Sequence, residues 1–126
     1  AYSQHSSDLS LRADFGVLCY PVIAMTGAHC HTGSRGNLLG EAATEAQASA
    51  VSPEQLVTAQ TPPCFLWHTW EDQAVPVENS LLFASALRAN NVPFEMHIYP
   101  KGRHGLGLNT ELPWGRDCLR WISEVV

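Results

Sequence analysis

No cluster of lysine or arginine interrupts this chain; its seven basic side chains are scattered and its net charge is −5. Nucleic acid, whose phosphates call for a concentrated basic footprint, is therefore not an expected partner. No apolar run approaches the roughly 18 residues of a membrane span, so no membrane is expected as a partner either. No basic segment followed by an apolar one marks a signal peptide. Cys19, Cys30, Cys64 and Cys118 form no C-x-x-C pair and match no zinc spacing, so neither a metal nor a cofactor is expected. Cys19 and Cys64 fall in strand-like runs and Cys118 on a helical stripe, which reads as small buried hydrophobes. Also missing is Gly-x-Ser-x-Gly, the turn on which a nucleophilic serine commonly sits.

What is present suffices for a core. The 126 residues are 45% hydrophobic, with four Trp and four Phe, which excludes whole-chain disorder. The length suits one domain or part of one. Ala1 to Asp14 is polar and reads as irregular. Phe15 to Tyr20 is a continuous apolar run stopped by Pro21, the pattern of a parallel strand covered on both faces. Residues 24 to 60 are broken by Gly27, Gly33, Gly36 and Gly40. There Ser34 is placed to cap a short helical turn through Asn37-Leu38-Leu39, with Gly40 closing it. Glu41 to Val51 is alanine-rich and reads as helix, and Ser52-Pro53-Glu54-Gln55 offers a second helix start.

A second apolar strand runs from Pro63 into His68. Glu78 to Asn90 then has Leu81, Phe83, Ala84 and Leu87 on one side of a helix, ended by Asn90-Asn91 and Pro93. Phe94 to Tyr99 alternates, with Phe94, Met96 and Ile98 on one face and Glu95, His97 and Tyr99 on the other. That pattern predicts a sheet edge with one wetter face. Pro113 opens a last helix whose Trp114, Cys118, Trp121, Ile122 and Val125 form a docking stripe. Strands alternating with helices predict an α/β fold: a parallel sheet of about three strands with flanking helices. Ligands of such sheets sit beyond the carboxyl ends of the strands.

Two segments lie at those ends. The second strand delivers His68-Thr69-Trp70-Glu71-Asp72-Gln73-Ala74-Val75-Pro76, and the third delivers Gly102-Arg103-His104-Gly105. An acid and then a histidine, on loops after successive parallel strands, match in order the last two members of a Ser…Asp…His triad. Histidine has an unperturbed pKa of about 6.5 and suits a general base. An acid beside it fixes the ring's tautomer and supports the imidazolium. Asp72 and His104 are thus the expected catalytic pair, with Glu71 as a rival acid. Trp70 and Val75 bracket the acid and are expected to line the substrate site, whereas Trp67 reads as core. Ser34, in Thr32-Gly33-Ser34-Arg35-Gly36, has only the second glycine of a nucleophile turn, and Ser3, Ser6 and Ser7 have none. His29-Cys30-His31 invites a metal reading, but adjacent residues converge poorly on one ion, so a solvated loop is expected.

Several segments carry a family likeness: Arg12-Ala13-Asp14-Phe15 through Tyr20-Pro21-Val22-Ile23, Gly33-Ser34-Arg35-Gly36-Asn37-Leu38-Leu39-Gly40, Thr61-Pro62-Pro63-Cys64-Phe65-Leu66-Trp67-His68-Thr69 and His104-Gly105-Leu106-Gly107-Leu108. In combination they resemble the C-terminal half of bacterial α/β-hydrolase esterases. The branch is the acetyl-xylan-esterase-like (BD-FAE) one, which borders the prolyl-oligopeptidase-type hydrolases. The resemblance implies a partial α/β-hydrolase fold, in which residues 1–126 form the C-terminal part of a single domain without its nucleophile-bearing half. A whole sheet of about eight strands, at about 30 residues per strand–helix unit, needs roughly twice this length. It also implies a serine carboxylester hydrolase, deacetylating acylated sugars, with Asp72 and His104 as acid and base and a small-molecule ester as substrate. The segment from His29 to Gly40 would border the acyl pocket. Alternatives are a prolyl-oligopeptidase-type peptidase fragment and a non-catalytic half-fold. A half-fold would expose the apolar side of Phe15-Val17-Cys19, an edge suited to homo-oligomerisation.

Overall fold

The structure is a computed structural model that describes residues 12–108 and 112–125. Ser3, Ser6, Ser7 and most of the polar stretch from Ala1 to Asp14 lie outside the described residues. Three strands, β1 (Gly16–Cys19), β2 (Cys64–Thr69) and β3 (Phe94–Tyr99), pair in parallel in the order β1-β2-β3. Between β1 and β2 come three short helices, α1 (Thr32–Leu39), α2 (Glu45–Ser49) and α3 (Pro53–Leu56). Helix α4 (Glu78–Ala89) joins β2 to β3, and α5 (Trp114–Val125) follows β3.

β2 is buried at all six positions, because its two neighbours flank it and helices cover both faces. Its side chains alternate between two cores. Cys64 and Leu66 pack with Ile23, Val57, Phe83, Leu87 and Val92 on the α4 side. Phe65 and Trp67 pack with Trp114, Cys118 and Trp121 on the α5 side, where Trp67 stacks on Trp114 with centroids 5.0 Å apart. Burying side chains of this size contributes on the order of 2 kcal/mol each, which is why β2 anchors the fold.

The structure corrects several sequence expectations. β1 is shorter than the apolar run and only half covered: Phe15 and Cys19 pack against the α5 side, while Val17 is 39% exposed. The open apolar side expected of Phe15-Val17-Cys19 therefore shrinks to Val17 among those three. In β3 the polar face is not the wetter one. His97 packs on Phe65 and Tyr99 on Trp67, and Ile98 is the exposed residue of the strand. Aromatic β2 neighbours and the docked α5 decide that face, which period-two alternation could not foresee. Ser34 caps nothing, since α1 begins earlier. Its N-cap is His31, whose ring accepts from the Ser34 amide at 3.1 Å. The alanine-rich stretch becomes helical only from Glu45, where Thr44 and Gln47 form a capping box. Leu81 faces outward, and the buried side of α4 includes Asn79 and Ser80 instead. Cys64 and Cys118 are buried, but Cys19 and Cys30 are half-buried, and all four are free thiols.

Asn79 fastens the irregular crossover to α4. Its Oδ1 accepts from the amides of Ile23 and Ala24, both at 2.9 Å, and its Nδ2 donates to the carbonyls of His29 and Pro76 at 3.0 Å. The residue is fully buried, so these groups have no water to turn to. Asn79→Ala is expected to strand the amides of Ile23 and Ala24 and the carbonyl of His29, while the Pro76 carbonyl keeps the backbone amide of residue 79. At about 1–3 kcal/mol for each unsatisfied group, the loss is on the order of 3 kcal/mol or more. Urea unfolding checks this; a loss below about 1 kcal/mol would mean the crossover is not held through Asn79.

Candidate active site

Residues 70 to 77 turn away from the carboxyl end of β2 and present Asp72 with a side chain fully removed from solvent. A buried carboxylate is costly unless donors surround it. Here Oδ1 accepts from the amides of Ala74 at 3.0 Å and Val75 at 2.9 Å. Oδ2 accepts from His104 Nδ1 at 2.7 Å. Burial pushes the Asp72 carboxyl up, but the Val75 amide, the His104 ring and the Ala74 amide outweigh it and leave the pKa below its ordinary value. The carboxylate is thus held ionised.

His104 arrives on the loop after β3, which is tied down at several points. Thr69 Oγ1 donates to the Gly102 carbonyl at 2.8 Å, and the Gly102 amide donates to Glu71 Oε2 at 3.2 Å. Gly102 has φ +137°, and a Cβ there would stand 2.7 Å from Leu106 Cδ1 and 3.0 Å from Thr69 Cγ2. Only glycine fits that crossing. Glu71, the rival acid, therefore serves the backbone of the histidine loop, whereas Asp72 meets the ring itself. The Gly107 amide donates to Tyr20 Oη at 3.1 Å, and Trp114 Nε1 donates to the Gly107 carbonyl at 3.0 Å. Tyr20 stands at the end of β1 with φ +39°, the left-handed region. That bend sets its ring edge-on to Trp67, at 4.9 Å, and to His104, at 4.8 Å. All three strand ends thus converge on one imidazole.

An open depression beside the pair is walled by Glu71, Gln73, Ala74, Gly102, Arg103 and His104. Trp70, expected to line the substrate site, is 69% exposed and not among those walls. Val75 is only 1% exposed and lends its backbone to Asp72 rather than its side chain to a surface. Trp67 is core, as its run suggests. Ser34 Oγ lies 2.8 Å from His31 Nδ1, within the start of α1, and forms no bond to His104. His29 and His31 part company, His31 to that cap and His29 toward Glu78 at 4.0 Å. Among the described residues no three His, Cys, Asp or Glu side chains gather as metal ligands, and no helix is long and apolar enough to cross a membrane.

Sequence reasoning overlooked Tyr20 and His68. His68 is fully buried, with Nδ1 2.8 Å from Ser80 Oγ and Nε2 2.9 Å from the Val75 carbonyl. Nε2 also lies 3.3 Å from Asp72 Oδ2. The signal was a titratable residue inside an otherwise apolar strand, four places before the acid.

The profile of the prolyl oligopeptidase family matches residues 14–126. The chain belongs to that family. It is 48% identical over 100 residues to endo-1,4-beta-xylanase B of Butyrivibrio fibrisolvens, covering 79% of this chain and 16% of that protein. It is 32% identical over 127 residues to the acetylxylan esterase of Xylanibacter ruminicola, covering 94% of this chain and 26% of that protein. The crystal structure of an acetyl ester-xyloside bifunctional hydrolase from Caldicellulosiruptor lactoaceticus superposes with a TM-score of 0.86 at 47% identity. That match covers 90% of this chain and 43% of the hydrolase. This member of the prolyl oligopeptidase family thus spans less than half the length of each of these three relatives, and its strands and helices are those of an α/β hydrolase.

Burial pushes the His68 pKa down from its ordinary value, a trend that the Val75 carbonyl and Asp72 only partly offset. Unfolded, this histidine titrates near 6.5, so below that pH the unfolded chain binds a proton that the folded one resists. Stability is therefore full above about pH 6.5 and falls as pH drops toward the lowered folded value. Asp72 adds a second loss, because its own folded pKa is depressed: its contribution is intact above about 3.9 and disappears below. Urea midpoints are expected to fall between pH 7.5 and 5, and His68→Gln is expected to flatten that fall. An unchanged slope in the variant would show that His68 does not resist protonation.

Proposed function

We propose that this chain supplies the acid and base of a serine carboxylester hydrolase, whose nucleophile comes from a segment that precedes it in one α/β-hydrolase domain. The observation that carries the reading is the 2.7 Å contact between Asp72 Oδ2 and His104 Nδ1. Asp72 accepts a hydrogen bond from Nδ1–H and so leaves the Nε2 lone pair directed away from it. His104, about one-third exposed beside the open depression, can then take a proton from an incoming serine hydroxyl. The imidazolium so formed is stabilised by the ionised carboxylate behind it, and the same proton is returned to the leaving alcohol. Water repeats the sequence against the acyl-enzyme.

Acetyl esters of plant sugars are the substrate class favoured over peptides. The support is the similarity to proteins named as an acetylxylan esterase and an acetyl ester-xyloside hydrolase. Restoring the preceding half should give hydrolysis of p-nitrophenyl acetate and of acetylated xylo-oligosaccharides. In that protein His104→Ala is expected to cost about 10³-fold or more in turnover, and Asp72→Asn a similar order through the wrong tautomer. Ser34→Ala, which loses only a contact at the start of α1, should cost about 1 kcal/mol of stability at most and leave the rate alone. Activity of His104→Ala within tenfold of the unmodified protein would refute the mechanism, and abolition by Ser34→Ala would place the nucleophile in this chain.

Taken alone, the chain would offer to a second copy of itself the outer edge of β1, unpaired among the described residues, with Val17 exposed. Light scattering is expected to show dimers or larger species. A monodisperse, cooperatively unfolding monomer would count against self-association and for a self-sufficient small fold.

A further inference from the structure

Asp72 Oδ2 lies between two imidazoles. His104 approaches from the open side at 2.7 Å, and His68 stands behind at 3.3 Å, fully buried. The esterase reading uses only the first of these rings. The protonation pattern of the second follows from its partners. Val75's carbonyl oxygen, 2.9 Å from Nε2, can only accept, so Nε2 carries the hydrogen. Nδ1, left as an acceptor in the neutral ring, then accepts a hydrogen bond from the Ser80 hydroxyl at 2.8 Å. The Nε2–H edge, aimed at Val75 O, presents the positive end of its dipole to Oδ2 as well.

We infer that His68 is a positioning residue, with Ser80 behind it: its Nε2–H pins the turn of residues 72–75 and braces Asp72 Oδ2 in line with His104. The inference rests on the esterase reading, because it assigns His68 a part in the work of that same pair. Two contacts divide this task. Through Val75 O the ring fixes the peptide segment whose amides at residues 74 and 75 hold Oδ1. Through its N–H edge it adds a fixed dipole beside the oxygen that must accept from His104. A neutral donor suits that position. A cation there would compete with the imidazolium formed on His104, whereas a dipole orients the carboxylate and leaves its charge available to His104. Ser80, on the first turn of α4, donates to the Nδ1 that this tautomer leaves as an acceptor and so couples the acid turn to the helix that follows it.

The test uses the full-length protein and two substitutions of contrasting shape. His68→Gln places a donor amide near the position of Nε2, while His68→Asn reaches only to the position of Nδ1 and removes the Nε2 donor. Misplacing a reacting group by about 1 Å can cost on the order of 100-fold, so His68→Asn is expected to lower kcat about 10- to 100-fold, with KM within about twofold. His68→Gln is expected to recover about tenfold or more of that loss. In the unsubstituted protein, two-bond proton–nitrogen couplings should report His68 as the neutral Nε2–H tautomer. The low-field Nδ1–H signal of His104 should broaden or move in His68→Asn. Wild-type kcat in His68→Asn overturns the inference, and so does equal impairment of both variants. If neither variant folds, an Nδ1–H tautomer at His68 in the unsubstituted protein overturns it alone. His104→Ala is the separate control: full activity there would sink the esterase reading, while the His104 Nδ1–H signal would still decide whether His68 positions Asp72.

Discussion

A carboxylate taken out of water must find donors in the protein, and this demand organises the carboxyl end of the sheet. Asp72 has its side chain fully buried, and its two oxygens are met by backbone amides from its own turn and by the ring of His104. Removing an ionised group from solvent without such partners costs many kcal/mol, far more than the net stability of a typical domain. The loop after β2 and the loop after β3 are therefore not independent. Each is shaped by what the carboxylate needs, and the contact between His104 and Asp72 is a structural bond before it is a chemical one.

The sheet makes that bond geometrically possible. Parallel pairing sets Thr69 opposite Tyr99, so β2 and β3 end level with one another and their following loops leave side by side. Thr69 and Glu71 then fasten the second loop at Gly102, the residue whose lack of a side chain lets it cross Thr69 so closely. β1 contributes from the other edge of β2. Its last pairing, Cys19 opposite Trp67, brings Tyr20 within ring contact of both Trp67 and His104. The left-handed backbone at Tyr20 costs about 1–3 kcal/mol. Its offset is a ring wedged between the aromatic core and the histidine, with a hydroxyl that accepts from Gly107.

Much of this was legible from sequence because it depends on local signals. The apolar run before His68, the alternating run before Pro100 and the helix ended by Asn90-Asn91 mark their elements, and Asp72 and His104 follow from their places after strands. Asn91 does adopt the left-handed conformation that ends α4. What escaped notice depends on partners distant in sequence. Asn79 and Ser80 look like ordinary solvent positions of a helix until Ile23, Ala24 and His68 are brought against them. The polar face of β3 looked wet because alternation says nothing of a later helix, and α5 carries the aromatic stripe that covers it. His31 as a cap was missed for a different reason. Ser34 has the better capping chemistry, but it lies three residues inside the helix that His31 begins.

The division of labour within the proposed triad has a physical logic. Among the described residues, the hydrogen bonds that orient Asp72 and His104 come from the stretch His68 to Gly107 and from Tyr20 and Trp114. On the proposed reading, the acid–base pair is thus oriented before any nucleophile meets it, and a serine from a preceding segment would need only to reach the Nε2 edge of His104. Preorganisation of this kind places the cost of orienting the base in folding rather than in the reaction, the condition under which fixed dipoles contribute most to a charged transition state. On the same reading, what a nucleophile-bearing segment would have to set reduces to one distance, from a serine oxygen to His104 Nε2. Sheet pairing along the outer edge of β1, which has no partner strand among the described residues, is the means by which a parallel fold would set that distance.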